Sequence, residues 1–170
     1  GGTFTMPTLG LSFISTTTGN VVRTNNVIVP GFRFSGTGGA WAMNDTNATT
    51  TGAFTVAAGT VTLPTGNLAV GRNFENLGGT ITHNNAKLIM TATSSATLSA
   101  SSSSLYSVKF TAAGPFTMTD VNLTLLDSLT LASGTLTMAT GTVSVGGDFL
   151  TASGTVNNAR SEERRVGKEC

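Results

Sequence analysis

A block of about 75 residues is written twice in this chain and begun a third time, and that repetition constrains the fold more than any other feature. The block starts at Gly2-Thr3-Phe4-Thr5, restarts at Gly79-Thr80-Ile81-Thr82, and starts again at Gly154-Thr155-Val156. Residues 53–84 lie over 128–159 at a constant offset of 75 without a gap, with Thr55, Ala57, Gly59, Thr60, Thr62, Gly66, Val70, Gly71, Phe74, Gly79 and Thr80 recurring as identities. Upstream, WAMND from Trp41 lies over FTMTD from Phe116, and FRF from Phe32 over VKF from Val108 after a slip of one residue. Long self-similarity of this kind predicts a solenoid, in which each unit packs only on its neighbours. The blocks run 1–77, 78–152 and 153–159, leaving 160–170 outside the pattern.

A shorter period lies inside the block. The Gly-Thr pair at 59 and 60 returns at 79 and 80, and the pair at 134 and 135 returns at 154 and 155, a step of 20 residues. From Gly134 that unit reads as strand 135–138, turn around Gly141, strand 142–145, turn 146–148, short strand 149–151 and turn 153–154. Apolar and polar residues alternate through the runs, and Gly, Asn, Asp and Ser punctuate them, which is strand-and-turn patterning. Three short strands in about 20 residues make one coil of a parallel β-helix, an all-β solenoid. Side chains alternate faces along a strand. Leu136, Met138, Val143, Val145 and Phe149 are therefore expected inside, as are Val61, Leu63, Leu68, Val70 and Phe74, and likewise Trp41 with Met43 and Phe116 with Met118. Pro64 falls at a strand end, where it removes no ladder donor. One coil alone cannot bury enough apolar surface to offset its ordering, so neighbouring coils must stack on it, and each end of the stack is a template for further pairing.

Thr and Ser make up more than a quarter of the residues, and only 10% are charged. Low complexity can signal disorder, but the β-branched residues here alternate in phase, which favours an ordered fold. The run Ser94–Ser104 fits a loop or a Ser-rich corner equally well. The terminal RSEERRVGKEC, residues 160–170, is densely charged, lacks Thr and interrupts the third block in mid-coil. It resembles a translated sequencing-library adaptor, a segment to be set aside in reasoning about the fold. Without it the chain keeps five Lys/Arg and five Asp/Glu, a net charge of zero, and no cysteine, since Cys170 belongs to that segment. The remaining cations, Arg23, Arg33, Arg72, Lys87 and Lys109, are scattered singly, whereas a nucleic-acid surface needs them clustered. No apolar run is long enough to cross a bilayer as a helix. Both ends fall within the repeat, so an internal piece of a longer protein is expected.

No set of residues here forms a catalytic, cofactor or metal motif. His83, the single histidine, has Asn158 as its counterpart and no second His, Cys or carboxylate pair nearby, so it reads as a solvated turn residue. Asp45 and Asp120 correspond, which suggests a calcium turn, and Gly146-Gly147-Asp148 has glycines and an Asp together. The spacing does not match the tight G-G-x-G-x-D repeat of calcium-binding β-rolls, and turn-forming carboxylates are expected instead. Arg33 and Lys109 also correspond, each outward between two inward residues, where one cation per repeat discourages edge-to-edge aggregation. Asn44, Asn47 and Asn122 head Asn-x-Thr triplets, which are glycan acceptors in a eukaryotic secretory route. The sharpest surface pattern is Thr-x-Thr, at 3 and 5, 60 and 62, 80 and 82, and 135 and 137. A 20-residue coil stacks Thr60 and Thr62 against Thr80 and Thr82, giving an outward ladder. Such ladders resemble the ice-binding faces of β-helical antifreeze proteins, although Thr also simply suits exposed strand positions.

On GTLTMATGTVSVGGDF and GGTIT the chain resembles the repeat regions of large bacterial surface and secreted proteins, namely autotransporter passenger domains and filamentous-haemagglutinin-like adhesins. The resemblance implies a structural or adhesive stalk at the cell surface or outside it, without catalysis, cofactor or metal, whose partners are host or matrix glycans or proteins, or other surface components. Two alternatives stand beside it: an ice-binding Thr-x-Thr surface, and part of a carbohydrate-active β-helix enzyme. The enzyme requires carboxylates such as Asp45, Asp120 and Asp127 to converge in one groove.

Overall fold

The computed structural model describes Thr8 and residues 10–158, and over that span the chain winds as a succession of short strands and corners into a parallel β-solenoid of about seven coils. The first coil carries β1 (Leu11–Phe13) and β2 (Asn20–Val22), and the second carries β3 (Phe32–Phe34), β4 (Ala40–Met43) and β5 (Ala48–Thr50). The third has β6 (Phe54–Val56), β7 (Thr60–Thr62) and β8 (Asn67–Val70); the fourth has β9 (Phe74–Asn76), β10 (Thr80–Thr82) and β11 (Lys87–Met90). The fifth keeps two strands, β12 (Ala96–Ser99) and β13 (Ser107–Phe110). The sixth has β14 (Pro115–Met118), β15 (Leu123–Leu125) and β16 (Leu129–Leu131), the seventh β17 (Thr135–Thr137), β18 (Val143–Val145) and β19 (Phe149–Thr151), and β20 (Thr155–Asn157) begins an eighth.

Three faces result. The first is an eight-stranded sheet running β1-β3-β6-β9-β12-β14-β17-β20, and the third is a six-stranded sheet running from β5 to β19. The second face is split into β2-β4-β7-β10 and β15-β18. The split falls at the fifth coil, where the corner around Ser101 takes the place of a strand and Leu105 alone bridges onward to Leu125. The Ser-rich run is thus a strand followed by a corner. Asp120, from the coil above, holds that corner, and Ser103 Oγ there accepts from Ile81 N of the coil below.

The expected 20-residue step is observed. Phe54 pairs with Phe74, and Ala96, Phe116, Leu136 and Val156 follow one another in register at intervals of 20. Longer steps separate Leu11 from Phe32, Phe32 from Phe54, and Phe74 from Leu98. The longest is absorbed in the corner 91–95, where Asn73 Oδ1 accepts from Thr97 N in place of a backbone carbonyl.

Inward side chains form one continuous core. Phe32, Phe34, Phe54 and Phe74 are buried, and Phe54 contacts the other three, 5.8 Å from Phe32, 5.5 Å from Phe34 and 5.3 Å from Phe74 between ring centroids. Trp41, Met43, Val61, Leu63, Leu68, Val70, Phe116, Met118 and Leu136 are buried as the alternation predicted. Phe149 differs. It shares the inward phase of its partner Leu129, yet it is 50% exposed, and Met138, Val143 and Val145 are only half-buried. The alternation sets direction, but burial of an inward residue needs a coil on each side, and β19 has a paired neighbour on one side alone.

The 75-residue repeat does not return a residue to the same face. Phe54 lies on the first face and its counterpart Leu129 on the third; Thr60 lies on the second and its counterpart Thr135 on the first. Counting the Leu105 bridge as a strand position, the repeat advances eleven positions, which is three coils and two further faces. The faces are interchangeable because each is built from the same strand-and-corner unit.

Candidate functional site

Corners, rather than strands, hold most of the distinctive polar chemistry. Asp45 reaches back one coil: its carboxylate accepts from Thr24 N, from Thr24 Oγ1 at 3.0 Å and from Asn25 N at 3.3 Å. Asp120 does the same at a different corner, accepting from Ala100 N at 2.7 Å, Ser101 N at 2.9 Å and Ser99 Oγ at 2.9 Å. Each carboxylate secures a corner containing left-handed backbone, with φ of 49° at Asn25, 64° at Asn26 and 55° at Ser101. The expectation of turn-forming carboxylates is met, with the partners on the preceding coil rather than in the local turn. Because Asp120 is buried and Ala100 N has no access to water, Asp120→Ala is expected to cost about 1–3 kcal/mol, read as a lowered urea midpoint.

The Thr24 amide is the main cause holding the Asp45 carboxyl below its ordinary value. Partial burial opposes it, while the Thr24 hydroxyl, the Asn25 amide and the Arg23 charge reinforce it. A lowered folded-state value means that the stabilisation is fully present above the unfolded carboxyl value of about 3.9 and is lost as pH falls through the folded value. Amide exchange at Thr24 and Asn25, measured relative to unprotected amides at each pH, is therefore expected to accelerate as pH falls below about 4, and Asp45→Asn is expected to remove that acceleration. Equal acceleration in the variant would contradict the assignment.

Asparagines act similarly. Asn47 Oδ1 accepts from Asn67 N and Asn122 Oδ1 from Thr142 N, each at 2.9 Å and each one coil on. Buried Asn76 donates through Nδ2 to Gly79 O, Ala100 O and Ser103 Oγ, and accepts from Gly78 N and Gly79 N. Corner hydroxyls donate to the carbonyls of the coil beneath, as in Thr111 to Met90 O, Ser133 to Thr111 O and Ser153 to Ala132 O. Much of the Ser, Thr and Asn content thus satisfies backbone groups that a corner leaves outside the ladders.

His83 is half-buried. Its Nδ1 accepts from Asn85 N at 3.0 Å, and its ring stacks on Tyr106 with centroids 5.9 Å apart. The histidine is a turn residue that keeps part of its surface in solvent, and its ring in addition packs against the next coil. Tyr106 carries no sequence signal of that contact, because the two residues meet only through coil stacking. Arg33 and Lys109 point outward from β3 and β13 as expected, although on different faces. Asp45 and Asp120 lie four coils apart, so no groove unites them with Asp127. Among the described residues no group of three or more His, Cys, Asp or Glu is placed to hold a metal ion.

The Thr-x-Thr pattern divides between two faces. Thr60 pairs with Thr80 and Thr62 with Thr82 on the second face, giving a two-coil ladder that Ala40 and Ala42 end on one side. Thr135 and Thr137 stand on the first face, where Thr117 pairs with Thr137 and Asn157 follows. Thr3, Thr5 and the segment Arg160–Cys170 lie outside the described residues.

These features define a β-solenoid with polar, backbone-satisfying corners. No protein family, curated protein or solved structure matches the chain.

Proposed function

We propose that this chain is a structural or adhesive segment of a larger extracellular bacterial protein, a stalk or passenger without catalysis of its own. The observation that carries this reading is the stack itself: about seven coils on one uninterrupted core, with short strands and corners whose polar side chains are bonded from coil to coil. Such a tube resists bending because each coil is tied to its neighbours by ladders on several faces, and it presents long outward rows to a partner. Host or matrix glycans or proteins are the partners this reading supplies. Surface labelling of intact producing cells with antibody against residues 10–158 tests the location, and binding to glycan and matrix arrays tests adhesion. Labelling only after permeabilisation would sink the reading.

Ice binding is the second reading, favoured by the observed register of Thr60 and Thr62 on Thr80 and Thr82. A ladder two coils long offers a small contact area. Measurable thermal hysteresis that disappears in a Thr62→Lys, Thr82→Lys double variant would support it, and absence of hysteresis in the parent chain would remove it.

A further inference from the structure

The corner leading into the first face contains a recess of about 450 Å3. It exists because two of the three residues stacked at this corner, Pro30 and Gly52, have little or no side chain. Phe32, Phe54 and Phe74 are in register, so the corner residues two places before them, Pro30, Gly52 and Arg72, stack coil upon coil. A Cβ on Gly52 would lie 1.9 Å from the Pro30 carbonyl oxygen, so no side chain can fill the corner at that level. Beside this bare floor stand Arg72, from the next coil, and Arg33, from β3; both are exposed, and Thr8 and Thr55 line the same recess. Two of the five cations outside the terminal segment therefore converge on one cavity in a chain that is otherwise sparsely charged. The carboxylate nearest in register, Glu75 beside Thr55, is held elsewhere: its Oε1 accepts from Asn73 Nδ2 of its own coil at 2.9 Å and from Thr97 Oγ1 of the next at 3.1 Å. It does not line the recess.

We propose that this recess binds an anionic saccharide, a sugar bearing a carboxylate or a sulfate, through Arg33 and Arg72. Guanidinium groups present planar forks of donors that match either anion. The volume falls in the range of small-molecule sites, roughly 300–1,000 Å3, and exceeds what a bare ion fills. The hydroxyl-bearing residues Thr8 and Thr55, which line the recess beside the guanidiniums, are groups suited to sugar hydroxyls. The anionic part of the assignment stands on this geometry, and the saccharide part rests on the adhesive reading above.

Calorimetric titration of the whole chain at low ionic strength, with a uronate disaccharide, a sulfated disaccharide, the neutral disaccharide of the same linkage, inorganic sulfate and triglutamate, tests it. One or both anionic disaccharides are expected to bind about tenfold or more tightly than the other three probes, and their ranking identifies the preferred anion. An Arg33→Gln, Arg72→Gln double variant is expected to lose that binding with an unchanged thermal midpoint, since both side chains are exposed. The proposal is overturned if neither anionic disaccharide binds, if the neutral sugar, sulfate or triglutamate binds as well, or if the double variant binds like the parent. Array adhesion that persists in the double variant while the titrations fail would sink this site and leave the adhesive reading standing.

Discussion

Phe54→Ala is expected to lower stability by about 3–5 kcal/mol, the cost of emptying a fully buried aromatic position, and to do so by cutting the stack in two. Phe54 is completely buried and touches rings from the coil below, Phe32 and Phe34, and from the coil above, Phe74. In a quasi-one-dimensional array the interfaces between neighbours carry the cooperativity, so weakening one central interface uncouples the segments on either side. Urea unfolding followed by Trp41 fluorescence, which reports the second coil, is then expected to separate from unfolding followed by far-ultraviolet circular dichroism, which averages the whole tube. Phe13→Ala serves as the comparison. Phe13 packs on Phe34 at 4.8 Å but is only half-buried in the first described coil, so its loss is expected to cost less and to leave the two probes coincident. Coincident transitions in both variants would refute the interface argument.

Gly59→Ala is the second large effect, expected at about 2–5 kcal/mol. Gly59 has φ of +78°, and an added Cβ would lie 2.6 Å from Gly39 O, 2.7 Å from Gly36 O and 2.7 Å from Trp41 Cζ3. Two costs combine: about 1–2 kcal/mol for a left-handed L-residue and about 1–3 kcal/mol for overpacking. Gly19 separates them. Its φ is +79°, but a Cβ there meets nothing within 4 Å, so Gly19→Ala carries the backbone cost alone. A larger loss at Gly59 than at Gly19, with a Trp41 emission shift only at Gly59, is the expected result. Equal losses would show that coil-to-coil approach contributes nothing.

The same glycine shows what is legible in the sequence. Gly59 and Gly79 were recognisable as a 20-residue echo, and in the structure Thr80 N donates to Gly59 O just as Thr60 N donates to Gly39 O. Gly134 and Gly154 repeat the arrangement at a corner of the first face, with Thr155 N donating to Gly134 O. The stacked corner could be read because a fixed step in sequence becomes a fixed neighbour in a solenoid. The fact that the two glycine columns stand at different corners could not be read.

Alternation along the chain by itself determined the strand phase, the inward set around Val61, Leu68 and Phe74, and the 20-residue coil, because side-chain direction in a strand is a local property with a period of two. Tertiary structure alone decided which face each strand joins, since that depends on every corner before it, including the longer one at 91–95 and the missing strand at Ser101. It also decided that Asp45 and Asp120 bond backward to another coil, that His83 meets Tyr106, that Phe149 is left half-covered, and that Arg33 and Arg72, 39 residues apart in a chain of scattered cations, share one recess. Each of these depends on which residues of different coils are brought side by side, and coil lengths that vary between 20 and 24 residues set which side chains meet.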